Sequence, residues 1–438
     1  MLFRKIESYI ADYLNSGANK ALIVEGSRQI GKSYIIRHVG KTLFKNFVEV
    51  NFVEDKNSDR LFENVRTISD FYLQIGIVAG AKLGKKENTL IFLDEIQEYP
   101  HLLTLLKFLK QDDKYQYIAS GSLLGITLAQ TVSIPIGSIE IVKMYALDFE
   151  EFLIANGVGQ FAIASFREKF LTCQELEEST HNKLLDLFRK YLIVGGMPDA
   201  VNEYLRSKDI NKIRKIQNNI HHFYALDAAK YDHNGKLKIQ RIFEMIPSAM
   251  ENKKKRIVVK NVENKIGKRY ENYQDAFDFL INAGVALEVK AISNPKFPLL
   301  ESSTKNLLKL YLNDVGLLSN VLYRNNINAI LNDEKSVNLG AIYEMVAASE
   351  LSAHGHKLYY YDNKKRGEVD YLIDDYENLA VLPLEIKSGK DYSTHRALAN
   401  FSNNDDYNIK RSFVFSNERK IKQDGVIAYL PIYYIMFV

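Results

Sequence analysis

The run Ala21-Leu22-Ile23-Val24-Glu25-Gly26-Ser27-Arg28-Gln29-Ile30-Gly31-Lys32-Ser33 constrains this chain more than any other stretch. Its apolar, β-branched first part reads as a buried strand that stops at Gly26. Gly31-Lys32-Ser33 then opens into Tyr34-Ile35-Ile36-Arg37-His38, which reads as a helix. G-x-x-x-x-G-K-S between a strand and a helix is a loop built to cradle phosphates. The glycines let backbone N–H groups turn inward, and the helix N-terminus adds partial positive charge. The expected nucleotide contacts are therefore Gly26, Ser27, Arg28, Gln29, Ile30, Gly31, Lys32, Ser33 and Tyr34. Lys32 can reach the β/γ-phosphates, and the Ser33 hydroxyl can ligate Mg²⁺.

A partner for this loop follows about sixty residues on. Thr89-Leu90-Ile91-Phe92-Leu93-Asp94-Glu95-Ile96 is an apolar run closed by two acids. A near-continuous apolar strand suits a parallel sheet covered on both faces, and acids at its carboxyl end sit where ligands bind. This is the Walker B pattern, in which Asp94 would hold Mg²⁺ and Glu95 would orient and polarise the attacking water. Around it, 3–15 reads as an amphipathic helix on Phe3, Ile6, Ile10 and Leu14; 46–52 as a strand; and 61–83 as a helix. Another strand, Tyr115–Ala119, ends in Ser120-Gly121-Ser122. A polar group at its tip would lie between the two motifs and could sense the γ-phosphate. Ser120 and Ser122 are both candidates, and ordinary turn serines explain them equally well. A further strand at 139–144 leads into Leu147-Asp148-Phe149-Glu150-Glu151-Phe152-Leu153, with Asp148 as N-cap.

These features resemble the AAA+ class of ATPases, and most closely a bacterial and archaeal family that joins such a core to a C-terminal domain of unknown function. The stretches carrying the likeness are Gly26–Ser33, Leu93-Asp94-Glu95, Ser120-Gly121-Ser122-Leu123-Leu124-Gly125, Ala146–Phe152 and Tyr191-Leu192-Ile193-Val194-Gly195-Gly196-Met197-Pro198. The resemblance implies ATP and Mg²⁺ as ligands, and assembly into rings in which a neighbour's arginine completes the site. Two positions depart from the family. Ala146 stands where it often has Pro, and Ser138 where it often has a basic residue, which leaves any arginine finger open. Arg28 is the one arginine that the sequence places near the nucleotide. Homo-oligomer and monomer both stand.

The chain has 438 residues, enough for two to four domains, and a formal charge of +4, too small to imply a nucleic-acid partner by itself. One cysteine, Cys173, excludes an internal disulfide and a cysteine zinc cluster; it reads as a small buried apolar residue in a reducing compartment. The N-terminus lacks the apolar region of a signal peptide, and no run of some eighteen apolar residues occurs. A cytoplasmic protein without a membrane span is expected. Residues 160–232 read as helical, broken by Gly195-Gly196-Met197-Pro198, and would form the lid of the ATPase. His221 and His222 are adjacent and point apart on a helix, so they do not suggest a metal site.

A helix at 237–250, a basic segment, a helix at 272–283 and a strand at 285–289 outline a winged-helix-like module, which the resemblance also implies. The basic positions are 253, 254, 255, 256, 260, 265, 268 and 269, with Glu263 the single acid among them. Such modules put their second helix into the major groove. Here that helix carries Asn272, Gln274, Asp275 and Asp278, a poor surface for phosphate, so DNA contact and a plain solvated module are equally supported.

After a strand and turn at 307–318, the order helix 338–353, strands 357–361, 368–373 and 381–386, helix 394–401 and strand 412–415 is expected. Asp370, Glu385 and Lys387 interrupt apolar strands, and alternation sets Glu385 and Lys387 on one face. Two carboxylates can hold Mg²⁺, and a nearby lysine can position or activate water. Glu344 on the preceding helix could complete the shell. This constellation resembles the PD-(D/E)xK nuclease core, which implies a restriction-endonuclease-like α/β fold, metal at Glu344, Asp370 and Glu385, and catalysis by Glu385 and Lys387.

The organisation expected is thus α/β: a P-loop AAA+ core with a parallel sheet over 1–158, a helical lid over 159–232, a winged-helix-like module over 233–300 and a nuclease-like domain over 301–438. Three functions fit these parts. One is an ATPase whose tail cuts DNA. A second is an ATP-dependent switch whose inactive tail binds nucleic acid or protein. A small-molecule P-loop kinase is disfavoured, because it leaves the second half of the chain without a purpose.

Overall fold

The computed structural model describes residues 1–122, 137–230, 237–252, 255–263, 269–299, 304–334, 336–363, 365–388 and 396–438. They divide into two compact units, Met1–Tyr145 with Asn282–Gly284, and Ala146–Ile281 with Val285–Val438. Leu123, Leu124 and Gly125 lie outside the described residues. No described helix is long and apolar enough to cross a membrane.

The first unit holds a five-stranded sheet of β1 (Ala21–Glu25), β2 (Asn46–Asn51), β3 (Thr89–Asp94), β4 (Gln116–Gly121) and β5 (Ile139–Lys143). The order is β2-β3-β4-β1-β5, and every pairing is parallel. All six residues of β3 are buried, as a strand covered on both faces requires. Helix Lys5–Asn15 buries Ile10 and Leu14. The helix expected over 61–83 is shorter, Ile68–Ala79, because a Thr67/Asp70 capping box starts it and Gly80, at φ 53, ends it. Ahead of it Phe62 packs edge-on against Phe52 and Phe71 in the core.

The second unit begins with helices Phe149–Ala155, Gln160–Leu171, Glu178–Val194, Pro198–Ser207 and Ile210–Lys230. Asp148 caps the first by accepting from Glu151 N (2.8 Å). An eight-stranded sheet follows: β6 (Ala286–Ile292), β7 (Thr304–Leu312), β8 (Leu358–Asn363), β9 (Gly367–Asp375), β10 (Ala380–Ile386), β11 (Ser412–Ser416), β12 (Lys422–Asp424) and β13 (Ile427–Pro431), in the order β12-β13-β11-β10-β9-β8-β6-β7. Helix Gly340–Ala353 packs against β10 and against β6, β7 and β8.

This sheet changes the expected organisation. Helices Lys238–Glu251 and Gln274–Asn282 are present, but β6 is an interior strand, antiparallel to β7 and parallel to β8. A boundary between 300 and 301 would separate β6 from β7, two hydrogen-bonded neighbours, so the strand expected in a wing belongs to the C-terminal sheet. The basic segment changes role as well. Lys255 and Arg256 turn onto Glu344 and Asp362 of the same unit rather than outward, while Arg269 is exposed. The side chains of Lys253, Lys254, Lys260, Lys265 and Lys268 lie outside the described residues.

The turn expected near 313–318 is instead the start of helix Val315–Tyr323, capped by Asp314, which accepts from Leu317 N (3.0 Å). The same carboxylate accepts from Gly196 N (2.6 Å). This explains the Gly195-Gly196-Met197-Pro198 turn. Gly195 has φ 72, and a Cβ there would lie 2.2 Å from Asp314 Oδ1, while one on Gly196 would lie 2.0 Å from the Leu147 carbonyl oxygen. Pro198 then opens the next helix at a position that needs no N–H. Cys173 is exposed, at φ 51, rather than buried, because it falls in the turn after helix Gln160–Leu171. His221 packs its ring on Phe243, with centroids 4.9 Å apart.

Candidate functional site

In the first unit the chain leaves β1 at Gly26, where a Cβ would meet the Met144 carbonyl oxygen at 2.3 Å and the Ile30 side chain at 2.6 Å. The loop then passes through Gln29 at φ 66 and Gly31 at φ 92, left-handed positions that favour small or flexible residues. Gly31 is the N-cap of helix Lys32–Leu43. Ile30 is buried under the loop, Ser27 is buried, Arg28 is partly buried, and Tyr34 is exposed beside it. Lys32 is buried, and its Nζ donates to the carbonyls of Gly26 (2.9 Å) and Ser27 (2.8 Å). Burial lowers its pKa, against the opposing charges of Glu95 and Asp94.

β4 lies between β1 and β3, which brings Ser120 to the Walker B acids. Asp94 is buried and receives donors from Ser33 Oγ (2.8 Å), Ser120 Oγ and Asn51 Nδ2 (3.3 Å). Burial raises its pKa, and the Ser120 and Ser33 hydroxyls oppose that rise. Glu95 sits at φ 56, a strained position for a non-glycine residue. Its N–H donates to Ser120 Oγ (3.2 Å), and its Oε2 accepts from Gln97 Nε2 (2.5 Å) and Ser122 Oγ (3.0 Å). The two serines thus divide the acids: Ser120 holds Asp94 and the Glu95 backbone, and Ser122 holds the Glu95 carboxylate.

In the second unit Glu344, Asp370, Glu385 and Lys387 fall in one cluster with Lys255 of the basic run and with Lys309, Tyr311 and Glu368, which the sequence did not single out. Lys387 Nζ donates to Glu385 Oε1 (2.7 Å), Lys255 Nζ to Glu344 Oε1 (2.6 Å), and Tyr311 OH to Glu344 Oε2 (3.2 Å). Asp370 Oδ2 accepts from Ile386 N (2.9 Å), and the buried Lys309 pairs with Glu368 (2.6 Å). Desolvation, then the charges of Glu385 and Glu344, push Asp370 well above the usual carboxylate range. Burial would lower Lys309, but the charges of Glu344 and Glu368 outweigh it and raise it. Among the described residues no group of three His, Cys, Asp or Glu side chains is arranged to hold a metal ion. The expected set of Glu344, Asp370 and Glu385 is therefore not assembled as a metal site, and both Glu344 oxygens are engaged by Lys255 and Tyr311.

Residues 18–153 match a family described as an AAA domain. They form an AAA-type P-loop ATPase domain. Residues 185–328 and 339–435 match two families described as domains of unknown function, DUF8612 and DUF4143. No curated protein matches the chain. Solved structures similar to it include the Walker-type ATPase PABY2304 of Pyrococcus abyssi, at 12% identity and TM-score 0.44, covering 76% of this chain and 96% of that one. The RuvB Holliday junction branch migration motor of Thermotoga maritima is similar at 13% identity and TM-score 0.31, covering 65% of this chain and 89% of that one.

Two residues of the first unit carry little signal in the sequence. Arg37, one helical turn after Ser33, is bidentate on Glu49 (2.6–2.9 Å) and stands 3.9 Å from Asp94 Oδ2. Its only signal is that i+4 spacing on the loop helix, and the β2–β3 register, which sets Asn51 beside Asp94, decides the rest. Arg4, at the N-terminal edge, is buried and donates to the carbonyls of Ile30 (2.9 Å) and Tyr145 (2.6 Å). It ties the phosphate loop to the end of β5. Arg4→Ala is expected to weaken ATP binding about tenfold, the equivalent of one charged hydrogen bond, with Arg4→Lys recovering part of it. Titration with a fluorescent ATP analogue measures this.

Proposed function

We propose that this protein is a Mg²⁺-dependent ATPase whose C-terminal unit is a nuclease-like module held in a non-cutting state. The observation that carries the first half is the 2.8 Å bond from Ser33 Oγ to Asp94 beside the buried Lys32. A hydroxyl and a carboxylate at that separation can both ligate one cation, so the residues fit Mg²⁺. When bound there, Mg²⁺ would neutralise charge shared by the β- and γ-phosphates. Lys32 would exchange its two loop carbonyls for phosphate oxygens, and the N-terminus of helix Lys32–Leu43 would add its dipole. Glu95, aimed by its left-handed backbone and by Ser122 and Gln97, would accept a proton from the attacking water.

The second half rests on order and chemistry. An acid on β9, an acid on β10 and a lysine two residues on are the parts of a nuclease-like centre, and Lys387 and Glu385 share one face. The pairing of Glu344 with Lys255 favours the non-cutting version, with DNA as the candidate ligand. The test incubates the whole protein with labelled linear, nicked and branched DNA, ATP and Mg²⁺. ATP hydrolysis abolished by EDTA, with every DNA recovered uncut, is the expected result. Cutting that Asp370→Ala removes would replace the non-cutting reading with an active nuclease, and no hydrolysis would end the ATPase reading.

A further inference from the structure

An arginine beside the Walker B acid is held back from it by an acid on β2. Helix Lys32–Leu43 sets Ser33 and Arg37 four residues apart, on one face that looks towards the end of β3. Asp94 is buried there, and its two oxygens are engaged unequally. Oδ1 accepts from the hydroxyls of Ser33 (2.8 Å) and Ser120, whereas Oδ2 accepts a longer bond from Asn51 Nδ2 (3.3 Å). These three donors are neutral. Arg37 Nη2 stands 3.9 Å from Oδ2, about 1 Å beyond the length of a charged hydrogen bond.

Glu49 takes that same nitrogen. Nη2 donates to Glu49 Oε1 at 2.6 Å, and Nε donates to the two Glu49 oxygens at 2.8–2.9 Å. Glu49 and Asn51 lie two positions apart on β2, so strand alternation turns both away from the face that buries Val48 and Val50. One strand thus supplies both contacts: Asn51 reaches Asp94, and Glu49 reaches the arginine that would otherwise compete for it. The Arg37 side chain is 41% exposed and that of Asp94 3%, so the guanidinium has room to move and the carboxylate does not. Without Glu49, an unpaired cation would stand beside a buried carboxylate whose donors are all neutral, and the two would attract. A guanidinium on Oδ2 would occupy an oxygen that a divalent ion at Ser33 and Asp94 needs, and would repel that ion by like charge.

We propose that Glu49 is a tether that keeps Arg37 off Asp94, and so keeps this carboxylate open to a divalent cation. Glu49 and Arg37 are positioning residues, since each acts on the cation through Asp94. This rests on the reading of the first unit as a Mg²⁺-dependent ATPase and adds what holds its cation site open.

The experiment measures equilibrium binding of a fluorescent ATP analogue to the full chain, once in excess Mg²⁺ and once in EDTA. The ratio of the two affinities is the coupling between cation and nucleotide, and it needs no turnover. Glu49→Ala is expected to lower this ratio at least tenfold. Arg37→Met should leave it within about threefold of the parent, and Arg37→Met combined with Glu49→Ala should restore it to that range. Glu49→Gln, which keeps the side chain's shape without its charge, is read in the same way should the alanine variant not fold.

A parent with Mg²⁺-enhanced binding that Glu49→Ala or Glu49→Gln leaves intact would overturn the tether while keeping the ATPase reading. A ratio lowered by Glu49→Ala and not restored by adding Arg37→Met would also overturn it, because Glu49 would then act without Arg37. So would a tenfold loss in Arg37→Met alone. A parent whose binding is the same in Mg²⁺ and EDTA would overturn both the tether and the cation site beneath it.

Discussion

Lys32→Ala is expected to abolish ATP binding, whereas Glu95→Gln is expected to keep binding and slow hydrolysis about a hundredfold or more. The two differ because the residues act at different stages. Lys32 Nζ is buried and satisfied by two loop carbonyls, so under the proposed function it is positioned for phosphate before ATP arrives. Removing it takes away a preorganised charge, a loss on the order of 10²–10³ in stabilisation. The Glu95 carboxylate is held by Ser122 and Gln97 rather than by the loop. Glutamine preserves shape and the Ser122 donor's acceptor but cannot take a proton. Equilibrium binding of a fluorescent nucleotide and phosphate release, measured on both variants, separate the two roles. A Glu95→Gln protein that hydrolyses ATP at the wild-type rate would remove the water-polarising role from Glu95.

The second large effect lies away from the nucleotide. Asp314→Ala should lower the stability of the second unit by about 3–5 kcal/mol, because it strands the buried N–H groups of Gly196 and Leu317. Asp314→Asn isolates the charge. Burial pushes Asp314 up to about 6, against the backbone donors of Gly196 and Leu317 that favour its anion. A carboxyl raised from its unfolded value of 3.8 binds its proton more tightly in the folded state. Its contribution is therefore greatest below pH 4 and is lost as pH rises through 6. From pH 5 to pH 7.5 wild type should lose about 1 kcal/mol relative to Asp314→Asn, which stays neutral throughout. Urea unfolding at the two pH values, followed by a probe in the second unit, gives the difference. A gap between the proteins that does not change with pH would mean that Asp314 is ionised in both states.

Much of the AAA domain is legible in the amino-acid sequence. Gly26, Gly31, Lys32 and Ser33 lie within eight positions, and their chemistry depends on a local turn and the helix that follows it. Local geometry needs no partner from elsewhere, so spacing alone can place it. Asp94 and Glu95 stand out because they close a near-continuous apolar strand. The order Glu344, Asp370, Glu385, Lys387 is equally visible. What each of these groups touches is not.

That Ser120 and Ser122 take different acids follows from β4 lying between β1 and β3, a fact of strand order. Arg4 reaches Tyr145 across 141 positions of sequence, and Asp314 reaches Gly196 across 118. The basic run at 253–256 reads equally as a phosphate contact or a solvated face, yet Lys255 and Arg256 are spent on Glu344 and Asp362. β6 reads as a wing and is an interior strand. The sequence by itself determined the candidate phosphate loop with its acids and most of the strands and helices of the first unit, because each depends on neighbours a few residues apart. Only the tertiary structure decided which charges meet, because a buried carboxylate must find a donor wherever the fold brings one, and sequence distance places no limit on that.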